Sequence, residues 1–149
     1  MGAGLTLRLR NELSEIRRLT AALDAFAEDE AIPSDVAMRM ALVLDELLTN
    51  TIEYGYPDEV PGEIGIEAKR DGDMLMISVT DDARPFDPRK APRPDLEQSV
   101  EDRRVGGLGL HLINTMADVD YARINGRNLV TLRLLVTSDG DGDPVAVAT

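Results

Sequence analysis

The chain contains no cysteine and a single histidine, His111, among its 149 residues. Disulfides, a thiolate nucleophile and cysteine-ligated zinc are therefore excluded, and there is no histidine cluster for a metal or a phosphorelay. Any bound metal must take oxygen ligands. Aromatic residues are scarce too, with two Phe, three Tyr and no Trp, so the core must be built mostly from Leu, Ile, Val and Met. Positive charge is outnumbered: 16 Lys and Arg stand against 28 Asp and Glu, a net charge of −12. Such a chain is repelled by nucleic-acid phosphates and by anionic lipid headgroups, which sets aside nucleic acid and membrane surfaces as partners. The longest unbroken apolar run is Met40 to Leu44, far short of the ~20 residues of a membrane span. Arg8 and Arg10 interrupt the amino-terminal segment before a signal-peptide core could form, and the chain reads as cytoplasmic.

What is present is a hydrophobic content of 43%, too high for a disordered chain, in a length that suits one domain. Leu5, Leu7 and Leu9 alternate with polar neighbours and predict a strand over 5–10. Leu13, Ile16, Leu19, Leu23 and Phe26 step by three and four and predict a helix, ended by the acidic, proline-containing stretch Glu28 to Pro33. A second helix runs to about Tyr54, with Ser34 or Asp35 able to cap its start and Gly55 and Pro57 ending it. Its core arc is Val36, Met40, Leu44, Leu47, Leu48 and Thr51. Residues 63–69 and 74–80 alternate as a hairpin turning at Asp71-Gly72-Asp73, and 119–124 with 128–136 form another, turning at Asn125-Gly126-Arg127. Between the hairpins, residues 82–106 hold four prolines and many charges without periodicity, the pattern of either a functional lid or a disordered stretch, and a short helix follows from Gly107 to about Met116. The fold class is an α/β two-layer sandwich, a mixed, mostly antiparallel sheet with helices on one face. Residues 1–137 form the domain, and the Gly, Asp and Ala of 138–149 read as a disordered tail.

Three places can carry chemistry. Glu46 and Asn50 are four apart on the second helix and share a face with Glu53, pointing away from the Leu44, Leu47 and Leu48 arc. Such a face is ordinarily a solvated one, with Arg39 free to pair with its neighbours; the chemical reading is a carboxylate base beside an amide oxygen that holds Mg²⁺. Asp81, at the end of a strand, can accept a hydrogen bond from an exocyclic amine at the bottom of a pocket, although Asp81 to Pro88 also suits a simple turn. Gly106-Gly107-Leu108-Gly109-Leu110 opens a helix, where backbone N–H groups approach an anion closely, or serves as a hinge for the lid. His111 reads as helix packing.

Taken in order, Asp45-Glu46-Leu47-Leu48-Thr49-Asn50, then Asp81 to Pro88, then Gly106 to Ile113 closely resemble the anti-sigma-factor serine kinases, a family of the GHKL (histidine-kinase-like) ATPase superfamily. The resemblance runs from about Leu5 to Leu135 and implies the Bergerat-type sandwich that binds ATP. It implies that Glu46 is the general base toward a substrate hydroxyl, that Asn50 ligates Mg²⁺, and that Asp81 accepts from the adenine amine, with residue 83 beside the base. It further implies that Gly107, Leu108, Gly109 and Leu110 cradle the phosphates through their backbone, and that Thr131 matches a threonine supporting adenine. Arg103 and Arg104 are placed by position and charge to reach phosphates from the lid. The implied partners are a STAS-type anti-anti-sigma protein, a sigma factor or comparable regulator, and a second copy of the chain.

One motif departs from the superfamily. Its Asp-x-Gly-x-Gly reads Asp81-Asp82-Ala83-Arg84-Pro85 here, and Ala83 adds a methyl group and excludes easy access to φ > 0, which predicts a lower nucleotide affinity. The alternative function is a catalytically silent or nucleotide-free binding module of the same fold. A histidine-kinase fragment would need a histidine within residues 11–54, and none is there. A small metabolic enzyme is disfavoured by the lack of any other nucleophile or cofactor site.

Overall fold

The computed structural model describes residues 4–58, 60–90 and 107–136. Five strands, β1 (Leu5–Arg10), β2 (Glu63–Asp71), β3 (Met74–Asp81), β4 (Asp118–Ile124) and β5 (Arg127–Leu135), and three helices, α1 (Ile16–Asp29), α2 (Ser34–Tyr54) and α3 (Gly107–Met116), make up the described chain. The sheet order is β1-β2-β3-β5-β4, and every pairing is antiparallel. The sequence predicts a mixed, mostly antiparallel sheet, and only its parallel component is not found among the described strands. β3 and β4 do run in the same direction, but β5 lies between them and pairs antiparallel with both.

Alternation decides which face each strand buries. Ile64, Ile66 and Ala68 of β2, Leu75, Ile77 and Val79 of β3, and Val130, Leu132 and Leu134 of β5 are all 4% exposed or less. They meet Leu19, Leu23 and Phe26 of α1, Met40, Leu44 and Leu48 of α2, and Leu110 and Ile113 of α3 in one core. The second hairpin turns on two residues, Asn125 (φ 52°) and Gly126 (φ 78°), the left-handed pair that matches strand twist; Arg127, expected in the turn, pairs with Ile124 instead.

Several local expectations give way to tertiary context. Leu13 is 47% exposed and sits in a 3₁₀ turn (Leu13–Glu15) that precedes α1. Glu15 takes the inward place there, its Oε1 accepting from the Arg10 amide at 2.9 Å and from Arg18 at 3.0 Å. Those bonds, the Arg10 amide first, hold its carboxyl below the ordinary range. Pro33 occupies the position before α2 and no side chain caps the helix; Ser34 and Asp35 lie inside its first turn, where Asp35 still complements the helix dipole. His111 is exposed on α3, not packed. Of the expected lid over 82–106, residues 91–106 lie outside the described residues, as does the tail 138–149. Within the described part of that segment, Pro88–Lys90 forms a 3₁₀ turn with Pro88 buried, and Pro88 O accepts from Asn114 Nδ2 at 2.9 Å.

The link from α2 to β2 is pinned beside the end of β3. Tyr56 is 8% exposed and its hydroxyl donates to Asp82 Oδ1 at 2.8 Å, while the Glu63 amide donates to the same oxygen at 3.2 Å. A Cβ on Gly62 would fall 2.2 Å from the Tyr56 ring, so glycine is required there by space. Burial first, then the Asp82 carboxylate, drives the Tyr56 phenol far above its ordinary value. For Asp82 burial pushes upward, but the Tyr56 and Glu63 hydrogen bonds outweigh it and leave the carboxyl below its usual range. Because its folded value lies below the unfolded ~3.9, the contribution is complete above about pH 4 and is lost as pH falls through the folded value. Tyr56→Phe should cost about 1 kcal/mol at neutral pH, a charge-assisted bond discounted for the exposure of Asp82, or ~2–4 °C in melting temperature. Melting curves across pH should show that deficit shrinking below about pH 4, and an equal deficit in acid and at neutrality would contradict the pairing.

Candidate nucleotide site

At one end of the sheet, the last turn of α2, the end of β3 and the start of β5 enclose a cavity of about 240 Å³. Leu47, Tyr54, Ala83, Phe86, Pro88 and Val130 supply its apolar walls, and Asn50, Thr51, Asp81 and Asn128 its polar points. The volume is below the ~300–1,000 Å³ of a pocket for a whole ligand, so it suits one flat ring system with the rest of the molecule outside. Asp81 is the last residue of β3 and keeps the inward parity of Leu75, Ile77 and Val79, which places a carboxylate 3% exposed at the cavity floor.

That carboxylate is held from one side. Oδ1 accepts from Asn128 Nδ2 at 2.8 Å and from the Ala83 amide at 3.0 Å, whereas Oδ2 has no hydrogen-bond partner among the described residues. Burial pushes the Asp81 carboxyl above its ordinary value, and the Asn128 and Ala83 hydrogen bonds oppose the rise. Ala83 is buried but does not have positive φ. The backbone there does not need glycine, so the departure from the Asp-x-Gly-x-Gly pattern imposes no left-handed strain. Its methyl group faces the end of α2, since a Cβ on Gly55 would lie 2.8 Å from it.

A second corner adjoins the first through Asn50. This residue is 9% exposed, not on an outward face as its spacing with Glu53 suggests, because α3 packs across that side of α2. Its Nδ2 donates to Glu46 O at 2.8 Å, which leaves Oδ1 without a partner among the described residues. Glu46 is partly buried and reaches the first turn of α3. A Cβ on Gly109 would fall 2.3 Å from Glu46 Oε1 and 3.6 Å from Asn50 Nδ2. Glycine at 109 is thus needed for close approach of helix and carboxylate.

The structure therefore brings together Glu46, Asn50, Asp81, Ala83 and Gly109. Gly107 and Leu108 lie in the first turn of α3, and Leu110 is 0% exposed, so only its backbone can face a ligand. Arg103 and Arg104 lie outside the described residues. Thr131 does not join the group: it pairs with Ser78 and Asp120 on the opposite face of the sheet, beside Thr6 and Glu67. Thr131 was expected to support adenine; three residues from it, Asn128 is the β5 residue that reaches the cavity, where it contacts Asp81. The signal was strand parity, since 128, 130, 132 and 134 all face inward and 131 cannot.

Comparison with known proteins agrees with this fold. The family described as Histidine kinase-like ATPase domain matches residues 9–134. The chain is 32% identical over 114 residues to the serine-protein kinase RsbW of a Bacillus cereus strain, covering 72% of this chain and 71% of that one. It is 28% identical over 118 residues to RsbW of Listeria monocytogenes, covering 76% and 74%. Among solved structures, the RsbU and RsbW domains of a Mycobacterium tuberculosis protein superpose with a TM-score of 0.66 at 18% identity, over 93% of this chain and 34% of that one. The catalytic domain of histidine kinase ThkA gives 0.51 at 17% identity, over 93% and 100%. This chain belongs to the anti-sigma-factor serine kinase family of the histidine kinase-like ATPase superfamily. No described helix is long and apolar enough to cross a membrane.

The residues present fit the ligand set that this family implies. A buried carboxylate oxygen with no donor among the described residues suits an exocyclic amine, and an amide oxygen in the same position suits a hard cation that prefers few protein ligands. The absence of a Cβ at 109 makes room for Glu46 against α3. Gly109→Ala should therefore leave stability little changed, because alanine favours a helix by ~1 kcal/mol over glycine and only a flexible carboxylate must move. A crystal structure of the variant should show Glu46 displaced with an unshifted melting temperature; an unmoved Glu46 carboxylate would contradict the close approach.

Proposed function

We propose that this protein is an ATP-dependent serine kinase and anti-sigma factor in a partner-switching circuit. It phosphorylates a serine of a STAS-type anti-anti-sigma protein and holds a sigma factor or comparable regulator while that protein is phosphorylated. On this reading it works in the cytoplasm as a homodimer. The observation that carries the proposal is the corner where Glu46, Asn50 and Gly109 meet, joined through Asn50 to the cavity that Asp81 floors.

Each residue has a chemical task. Asp81 Oδ2 accepts from the adenine amine, and a carboxylate that only accepts discriminates against a base presenting a carbonyl at that edge. Leu47, Phe86 and Val130 close over the ring and exclude water. Asn50 Oδ1 is a ligand for Mg²⁺, which when bound neutralises charge on the phosphates. The backbone N–H groups at Gly107, Leu108 and Gly109, the amino terminus of α3, face anionic oxygens. Glu46 takes the proton of the substrate serine as its oxygen bonds to the γ-phosphorus and the bond to ADP breaks. Because Ala83 needs no positive φ, the cavity is compatible with nucleotide, which supports a nucleotide-binding protein over a nucleotide-free module.

Glu46→Gln preserves size and the fit against Gly109 while removing the base. Transfer of labelled phosphate from ATP to a STAS-domain protein of the same cell should fall by about 10²-fold or more, with ATP affinity within a few fold of the parent. Unchanged transfer would remove Glu46 from the mechanism.

A further inference from the structure

Asn128 is buried to 3% exposure and makes six hydrogen bonds with residues from three parts of the chain. Nδ2 donates to Asp81 Oδ1 at 2.8 Å and to Arg84 O at 2.9 Å, with a longer contact to Ala83 O at 3.4 Å. Oδ1 accepts from Tyr121 at 2.6 Å, from Arg123 at 3.0 Å and from the Phe86 amide at 3.3 Å. The orientation of the amide admits no alternative, because Arg123 and Phe86 N can only donate and the carboxylate and carbonyls can only accept. Both amide protons and the carbonyl oxygen are committed, so Asn128 has nothing left with which to read a ligand itself. Its effect on a ligand must pass through Asp81. A carboxylate free to turn about its last torsion could offer either oxygen; two donors on Oδ1 remove that freedom and leave Oδ2.

We propose that Asn128 is the positioning residue of the base site: it fixes the Asp81 carboxylate so that Oδ2 alone is presented to the cavity, and ties that carboxylate to the backbone of residues 83–86. The proposal rests on the nucleotide-binding reading above. Arg123 reinforces it by donating to both Asn128 Oδ1 and Ala83 O, each within 3.0 Å. A donor in place of Asn128 is therefore required, and an acceptor there is not tolerated when ionised.

Asn128→Asp tests this with little change of shape. The acceptor for Phe86, Tyr121 and Arg123 survives, while two carboxylates now face each other where an amide met a carboxylate. Such a pair shares one proton and loses it in a second step at higher pH. The other charged or titratable groups around them are Asp82 and Tyr56 beside the end of β3, Tyr54 on α2, Arg84 in the following segment, and Tyr121 and Arg123 on β4, all unchanged by the substitution. Calorimetric titration with ATP and Mg²⁺ should give a ratio of parent to variant affinity near unity at about pH 5.5, rising to about tenfold or more at about pH 8 as the shared proton leaves. A ratio independent of pH overturns the proposal, whatever its size. If the parent itself fails to bind ATP at every pH, the nucleotide reading fails and this proposal with it. Should Asn128→Asp not fold, Asn128→Thr against Asn128→Val separates a donor from packing: threonine should bind ATP about tenfold more tightly, and equal affinities overturn the proposal.

Discussion

The constraint on which the site depends is the burial of one carboxylate in an otherwise apolar layer. Asp81 takes the inward position at the end of β3, a place that Leu75, Ile77 and Val79 fill with hydrocarbon further back on the same strand. Removing a carboxylate from water is costly unless it is hydrogen-bonded, and a hydrophobic residue at 81 would serve stability better. The protein instead satisfies half of the group with Asn128 and the Ala83 amide and leaves the other oxygen facing a cavity. Stability is thereby given up at a point where a donor from outside can restore it, as binding sites generally do.

The neighbouring elements can be understood from that arrangement. The segment 82–86 cannot drift, because its backbone is held by Asn128, by Arg123 on Ala83 O, and by the Arg84 amide donating to Gly55 O at 2.9 Å. Tyr56 holds the adjoining Asp82 to the chain that enters β2. The cavity is therefore walled by strand ends and by the last turn of α2, elements fixed by the core. The second corner is built differently, from side chains of α2 against the backbone of α3. There the determinant is a missing methyl group, since any Cβ at 109 would collide with Glu46. Asn50, wedged between both corners and bonded back to Glu46 O, sets their spacing.

Much of this is legible in the residues. Strict alternation in 63–69 and 74–80, and the Asn125-Gly126 pair, define hairpins whose register follows from period two. The apolar steps of α2 and the breaks at Pro33 and Gly55 bound that helix to within a residue. The resemblance then identifies Glu46, Asn50 and Asp81 as the residues that meet here. What is not legible depends on a third partner. A helical projection of α2 assigns its apolar arc to the sheet, and so turns Asn50 outward; α3 covers that side and buries it. Periodicity counts Leu13 as core because it cannot see that the chain enters α1 through a 3₁₀ turn with Glu15 inward. Motif position selects Thr131, whereas strand parity sends it to the far face and selects Asn128. Ala83 looks like a defect when the glycine pattern is read as a need for positive φ, which the backbone does not have.

On the proposed reading, the Asp81 cavity and the α2–α3 corner together form a nucleotide site. Calorimetric titration of the purified wild-type protein with ATP, with and without Mg²⁺, tests it most directly. Saturable binding that Mg²⁺ strengthens is the expected result. No measurable binding at millimolar ATP in the presence of Mg²⁺ would contradict it.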